Sequence, residues 1–204
     1  LLVRRNAARL GLPTNWASNC SLPKDGYDNE IARLDLHDPA AKPRPVFRPA
    51  DRTFVGDLEP HWDGRRLLFS KSTPGRPWQV YEISLDAPTG ATPRQVTPDL
   101  GPDVDNYDAC YLPRGGTIFM STAAMVAVPC VHGNTAVANL YRLGPDGAVR
   151  QLCFDQEHDW GPVVMDDGRI LYLRWEYADI PHAHSRRLFQ MNPDGTGQAV
   201  FYGT

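Results

Sequence analysis

The stretch DQEHDWGPVVMDDGRILYLRWEYADIPHAHSRRLFQMNPDGTGQAVFYGT, residues 155–204, decides the fold. It reads as four short strands at 162–165, 169–174, 187–191 and 198–202, in the alternating pattern of half-buried sheet. Asp167-Gly168 separates the first two strands and Asp194-Gly195 the last two, each supplying the positive φ of a tight hairpin turn. A longer polar loop joins the second strand to the third. Four short antiparallel strands connected in this way make one blade of a β-propeller.

The same unit recurs upstream. Second strands align as Leu1-Leu2-Val3-Arg4, Leu67-Leu68-Phe69-Ser70, Thr117-Ile118-Phe119-Met120 and Ile170-Leu171-Tyr172-Leu173. In the third strands Ile31, Val80, Leu140 and Leu188 are equivalent and recur at intervals of 49, 60 and 48 residues. A period of roughly 50 fits propeller blades with extended loops. The extra length of the middle repeat falls in one loop, residues 123–138. Ala32/Leu34, Tyr81/Ile83, Tyr141/Leu143 and Phe189/Met191 alternate with the more polar Arg33, Glu82, Arg142 and Gln190, so each set faces one neighbouring blade. The chain is therefore expected to be all-β, a partial β-propeller of about four four-stranded blades, three complete and the first partial. The blades cover approximately 1–50 (partial), 55–98, 105–154 and 158–202, within a single propeller segment.

Composition agrees. The chain has 204 residues with Pro 19 and Gly 17, a turn-rich balance that suits an all-β protein. A net charge of −3 gives no basis for a nucleic-acid partner, and no apolar run is long enough for a membrane-spanning helix. The Arg4-Arg5 and Arg65-Arg66 pairs read as solvated strand ends. Because the chain opens on a second strand without Met, it is expected to be a piece of a longer protein whose signal peptide lies elsewhere. Cys20, Cys110, Cys130 and Cys153 form no Cys-x-x-Cys pair. Cys110 and Cys153 read as small buried strand residues, and Cys130 is placed to pair with Cys110 or Cys20. Asn19-Cys20-Ser21 matches a glycosylation sequon.

Chemistry concentrates in the loops that leave one face of the propeller, where a rigid scaffold holds functional groups. His158 and Asp159 are candidates for a divalent metal, imidazole beside carboxylate, or else a polar tie between blades. Asp105, Asn106, Tyr107 and Asp108 form an oxygen-rich run that suits calcium or an inter-blade cap. Trp160, Glu176, His182 and His184 complete the ligand candidates of that face. His182 and His184 suit two metal ligands where their loop is locally extended, and a solvated polar loop is the other reading. The sequence holds no Gly-x-Ser-x-Gly elbow, phosphate loop or haem-attachment motif, so no complete active site is expected.

Several motifs resemble the propeller of hydrazine synthase alpha-subunit-related proteins. They are Arg4-Arg-Asn-Ala-Ala-Arg-Leu-Gly-Leu-Pro-Thr-Asn-Trp16, Trp78-Gln-Val-Tyr-Glu-Ile, Asn106-Tyr-Asp-Ala-Cys110, Val128-Pro-Cys130-Val, Gln151 through Trp160, Arg174-Trp-Glu-Tyr-Ala-Asp-Ile-Pro-His182, and Met191-Asn-Pro-Asp-Gly-Thr-Gly. More distantly the repeats are similar to TolB-like propellers. The resemblance implies an extracytoplasmic, planctomycete-type bacterial protein in which the propeller is a middle domain docking other domains or subunits. It leaves two readings of the parent, haem c held outside this segment or a relative that makes no hydrazine, and implies no cofactor within the segment. A haem redox enzyme and a peptide-binding or peptidase-associated propeller are the alternatives.

Overall fold

The protein was analysed as a computed structural model that describes residues 1–8, 10–88, 90–177 and 185–203, with Cys130 described by its backbone alone. Among the described residues fifteen strands form four antiparallel sheets, the partial propeller expected from the repeats. The first sheet has three strands, β1 (Leu2–Arg5), β2 (Asn29–Arg33) and β3 (Arg44–Phe47). The second is β4 (Val55–Pro60), β5 (Arg66–Thr73), β6 (Arg76–Ser84) and β7 (Arg94–Gln95). The third is β8 (Asn106–Tyr111), β9 (Thr117–Ser121), β10 (Asn139–Leu143) and β11 (Val149–Gln151). The fourth is β12 (Asp159–Val164), β13 (Ile170–Trp175), β14 (Arg186–Met191) and β15 (Ala199–Tyr202). Among the described residues the helices are single three-residue turns, and none is long and apolar enough to cross a membrane.

Sheet period puts one cross-strand aromatic pair on the same face of three blades. Phe69 pairs with Tyr81, Phe119 with Tyr141 and Tyr172 with Phe189, at centroid distances of 6.1, 6.1 and 5.9 Å. Each pair packs on aliphatic side chains of the preceding blade. Phe69 meets Ile31 and Val46; Phe119 and Tyr141 meet Leu68 and Val80; Tyr172 and Phe189 share a core with Ile118, Met120 and Leu140. Large flat rings on branched side chains fill an inter-sheet gap densely and add specific ring contacts to the burial. In the first blade Leu2, and not Val3 as the alignment of second strands predicts, lies opposite Ala32 and takes the register of the aromatic pair.

The first strand of each complete blade carries a bulge. Register shifts fall between Gly56 and Glu59, Tyr107 and Ala109, and Trp160 and Val163. The bulged residues Asp57, Asp108 and Gly161 have φ of 51°, 48° and 57°. This corrects the sequence reading of the last blade. Gly161-Pro162 looked like the start of the strand but is a bulge inside it, so β12 begins at Asp159. Cys153 lies beyond the end of β11 rather than within a strand, although it is buried as expected.

Two further expectations change. Arg5 is not a solvated strand end: its guanidinium lies 4.2 Å from the Phe54 ring centre and donates to the Val55 carbonyl. Arg66 is held between Asp63 and Glu82. The exposed edge of β6 is capped by side chains, because β7 pairs only with Tyr81 and Glu82. Lys24 donates to the Arg76 carbonyl at 2.7 Å, Asp105 accepts the Trp78 N–H at 2.7 Å, and Thr97 Oγ1 accepts the Val80 N–H at 3.0 Å. An edge closed in this way cannot recruit another strand.

Phe119→Ala is expected to destabilise the chain by about 3–5 kcal/mol, while Phe201→Ala at an exposed position stays within about 0.5 kcal/mol. Urea unfolding followed by tryptophan fluorescence measures both. Equal losses for the two variants would contradict the ring-on-aliphatic seam.

Candidate functional site

The loop between β1 and β2 does not stand free at the face where the candidates were expected. It runs as a strap across all the blades. The Asn15 carbonyl accepts Arg186 of the fourth blade at 2.6 Å, and the Cys20 thiol donates to the Ala136 carbonyl of the third at 3.6 Å. Asn19 donates to Asp57 of the second blade at 2.5 Å, and Ser72 donates to the Lys24 carbonyl at 2.5 Å. Leu22 and Tyr27 anchor the strap in the core, where Tyr27, Phe54, Trp78 and Tyr107 follow one another in edge-to-face contact. The Asn19 side chain of the sequon is thus committed to Asp57.

Beneath the strap, the oxygen-rich run diverges. Asp105 accepts the Trp78 N–H and pairs with Lys24, while its own N–H goes to Thr122 Oγ1. Asn106 is fully buried and donates to Gln79 and to the Pro98 carbonyl. Tyr107 is buried in the ring series, which pushes its phenol well above the usual range. Asp108 turns the other way, into the space between the first strands. These four residues therefore cap and join blades in the structure rather than converge on one point.

His158 and Asp159 also face different surroundings. His158 is fully buried, and its Nδ1 accepts the Ala138 N–H at 3.1 Å. Burial lowers its pKa to about 4, so it is neutral at pH 7, and its buried Nε2 has no hydrogen-bond partner among the described residues. It stacks on Trp160 at 4.9 Å, and Arg186 covers Trp175 at 4.1 Å. Asp159 is fully buried, accepting Arg174 Nε at 3.0 Å and Asn139 at 3.1 Å. Arg174 also pairs with Asp155 at 2.7 Å and donates to the Tyr172 hydroxyl and Gln198. Cys153, Asp155 and Asp159 bring one ligand atom each to within 4.8 Å of one another, the donor set among the described residues best placed for a metal ion. The Arg174 guanidinium already satisfies its two carboxylates. Glu176 pairs with Arg187 at 2.9 Å. His182 and His184 lie outside the described residues, as does the Cys130 side chain; Cys20, Cys110 and Cys153 are free thiols.

The group that sequence reading missed is Asp57. Bulges on adjacent first strands turn Asp57 and Asp108 towards each other, with Ser70 between them. The buried Ser70 hydroxyl accepts the Asp108 N–H at 2.8 Å and donates to the Asp57 carboxylate. The Asp108 carboxyl accepts the Gly161 N–H. A hydrogen-bonded girdle therefore runs Asn19, Asp57, Ser70, Asp108, Gly161, touching the strap and three blades in turn. Burial, then the Asp57 charge, pushes the Asp108 carboxyl up to about 8, and burial raises Asp57 as well. Such a half-buried pair holds a proton at neutral pH and offers one acid rather than two anions. Aligning first strands would have exposed it, since Val55-Gly-Asp57 and Asn106-Tyr-Asp108 occupy one position of the repeat.

No protein-family model and no curated protein matches the sequence. Solved structures do. Kuenenia stuttgartiensis hydrazine synthase superposes with a TM-score of 0.70 at 18% identity, over 86% of this chain and 28% of that one. TolB from Acinetobacter baumannii gives 0.56 at 19%, over 86% and 38%. A puromycin hydrolase gives 0.58 at 17%, over 88% and 27%. The chain spans less than two fifths of each of these proteins, and at such identities the likeness is one of fold.

Two outcomes follow from the buried acids. Asp108 keeps a proton that the unfolded chain releases, so its contribution to stability is full below about pH 4 and is lost as pH rises to about 8. Asp108→Asn should therefore raise the melting temperature by a margin that widens between pH 5 and 8 and then levels off; a margin independent of pH would refute the shared proton. Arg174→Met should cost about 3–5 kcal/mol at pH 7 by stranding buried carboxylates, and less at pH 5, where Asp159, titrating at about 7, is neutral. Thermal melts at the two pH values read the difference.

Proposed function

We propose that the chain is a scaffold and docking segment of a larger extracytoplasmic propeller protein of the broad kind that includes hydrazine synthase. One observation carries this reading. Leu171, Leu173 and Leu188 occupy on the last blade the repeat positions that Ile118, Met120 and Leu140 occupy on the blade before it. There they are buried under the next blade's aromatic pair; here they are half-buried, beside Val163 at 46% and Tyr202 at 74% exposure. A contiguous apolar sheet face of this kind is a surface for a neighbour. The neighbour it fits is a further sheet carrying an aromatic pair, in the same parent protein.

The segment works by holding geometry. Its strap covers the loop-face acids and imidazole, so those groups join blades and position the docking faces. On this reading haem c belongs to other parts of the parent, because the segment lacks the attachment motif. The motif resemblance and the TolB-like fold support an extracytoplasmic setting.

Light scattering tests the docking face. The 204-residue chain should self-associate and bind a hydrophobic dye, and the Leu171→Glu/Leu188→Glu variant should be monomeric with dye binding reduced. A monomeric wild-type chain that binds no dye would overturn the reading.

A further inference from the structure

Beside β6 and the turn that follows β7 lies a cleft of about 620 Å³, away from the girdle and the docking face. Its polar wall is built in two layers. Gln79, only 4% exposed, accepts Thr97 Oγ1–H at 2.5 Å and Asn106 Nδ2–H at 3.1 Å through its carbonyl oxygen. That fixes its amide nitrogen, which donates to Asp99 Oδ1 at 3.3 Å. Gln95 donates to the same Asp99 oxygen at 3.1 Å and to the Thr97 carbonyl at 2.9 Å. Two oriented amides thus hold one oxygen of Asp99, and among the described residues its other oxygen has no partner.

The rest of the cleft complements that carboxylate. The Arg76 guanidinium lines it with no partner among the described residues, a planar fork of donors. Tyr81 gives a half-buried ring, with the Lys71 ammonium 6.0 Å from its centre. Lys71 is balanced by Asp51 at 3.1 Å, and Arg76 balances Asp99, so the cleft has no net charge to attract an ion. An aimed acceptor, a forked donor and an aromatic face in a neutral cleft suit adjacent hydroxyls on a ring with an apolar C–H face. The volume lies within the range of small-molecule sites, and the supporting amides pre-orient the acceptor.

We infer that this cleft binds a neutral carbohydrate, with Asp99 and Arg76 bridging neighbouring hydroxyls and the sugar ring lying on Tyr81. The inference is independent of the docking reading.

Isothermal titration of the 204-residue chain with maltotriose, cellotriose and chitotriose, each to about 10 mM, tests it. At least one trisaccharide should bind, and Asp99→Asn and Arg76→Ala should each weaken that binding by about tenfold or more, the worth of one well-made polar contact. Tyr81 is left intact because it belongs to a blade seam. Absence of binding by all three sugars, or unchanged binding in both variants, would overturn the proposal. Binding of glycylglycine in place of the sugars, lost in the same two variants, would overturn the carbohydrate class and assign the cleft to a zwitterion.

Discussion

Rings of one blade pressed on the aliphatic side chains of the blade before it form the contact on which this structure depends. A four-stranded sheet has two faces and cannot bury both alone. Repeating Phe69/Tyr81, Phe119/Tyr141 and Tyr172/Phe189 at one register solves this, because each blade offers rings on one face and branched aliphatics on the other. The stacking direction is then set by side-chain type. It also explains why the last blade presents Leu171, Leu173 and Leu188 together on its uncovered face.

The polar interior follows from that packing. Inner strands converge, and the bulges at Asp57, Asp108 and Gly161 let them do so while turning two carboxyls inward. Desolvation penalises the charged form of an acid so placed, which is why Asp108 holds its proton to about pH 8. At Asp159 and Asp155 Arg174 adds ion pairs that oppose the same desolvation, which still raises Asp159 to about 7. One chain thus uses both remedies for a buried acid, a retained proton in one place and a paired cation in another.

Blade count and the face of each third strand were legible because both rest on period-2 patterning and Asp-Gly turns, which are local. Tyr81, Tyr141 and Phe189 stood out at equivalent positions for that reason. Asp105, Asn106, Tyr107, His158 and Asp159 were legible as a group of polar residues near one end of the blades, but their partners were not. Trp78 for Asp105 and Ala138 for His158 lie at least 20 residues away and meet them through backbone N–H groups that carry no sequence signature, and the Lys24 ammonium reaches Asp105 across 81 residues. Gly161-Pro162 misled for a related reason: glycine marks a turn and a bulge alike, and only the partner strand distinguishes them.

The strap imposes an order on assembly. Cys20 meets a residue 116 positions further on, and Asn15 is held by one 171 positions further on. Contacts that close such long loops form late, after local hairpins have reduced the chain entropy to be lost. During synthesis the N-terminal segment emerges first, yet its last anchor, on the fourth blade, does not exist until about residue 186 has been made. Until then the strap is tied only to the earlier blades, so the nascent chain passes through a stage with one end of the strap loose and open to chaperones and to its own neighbours.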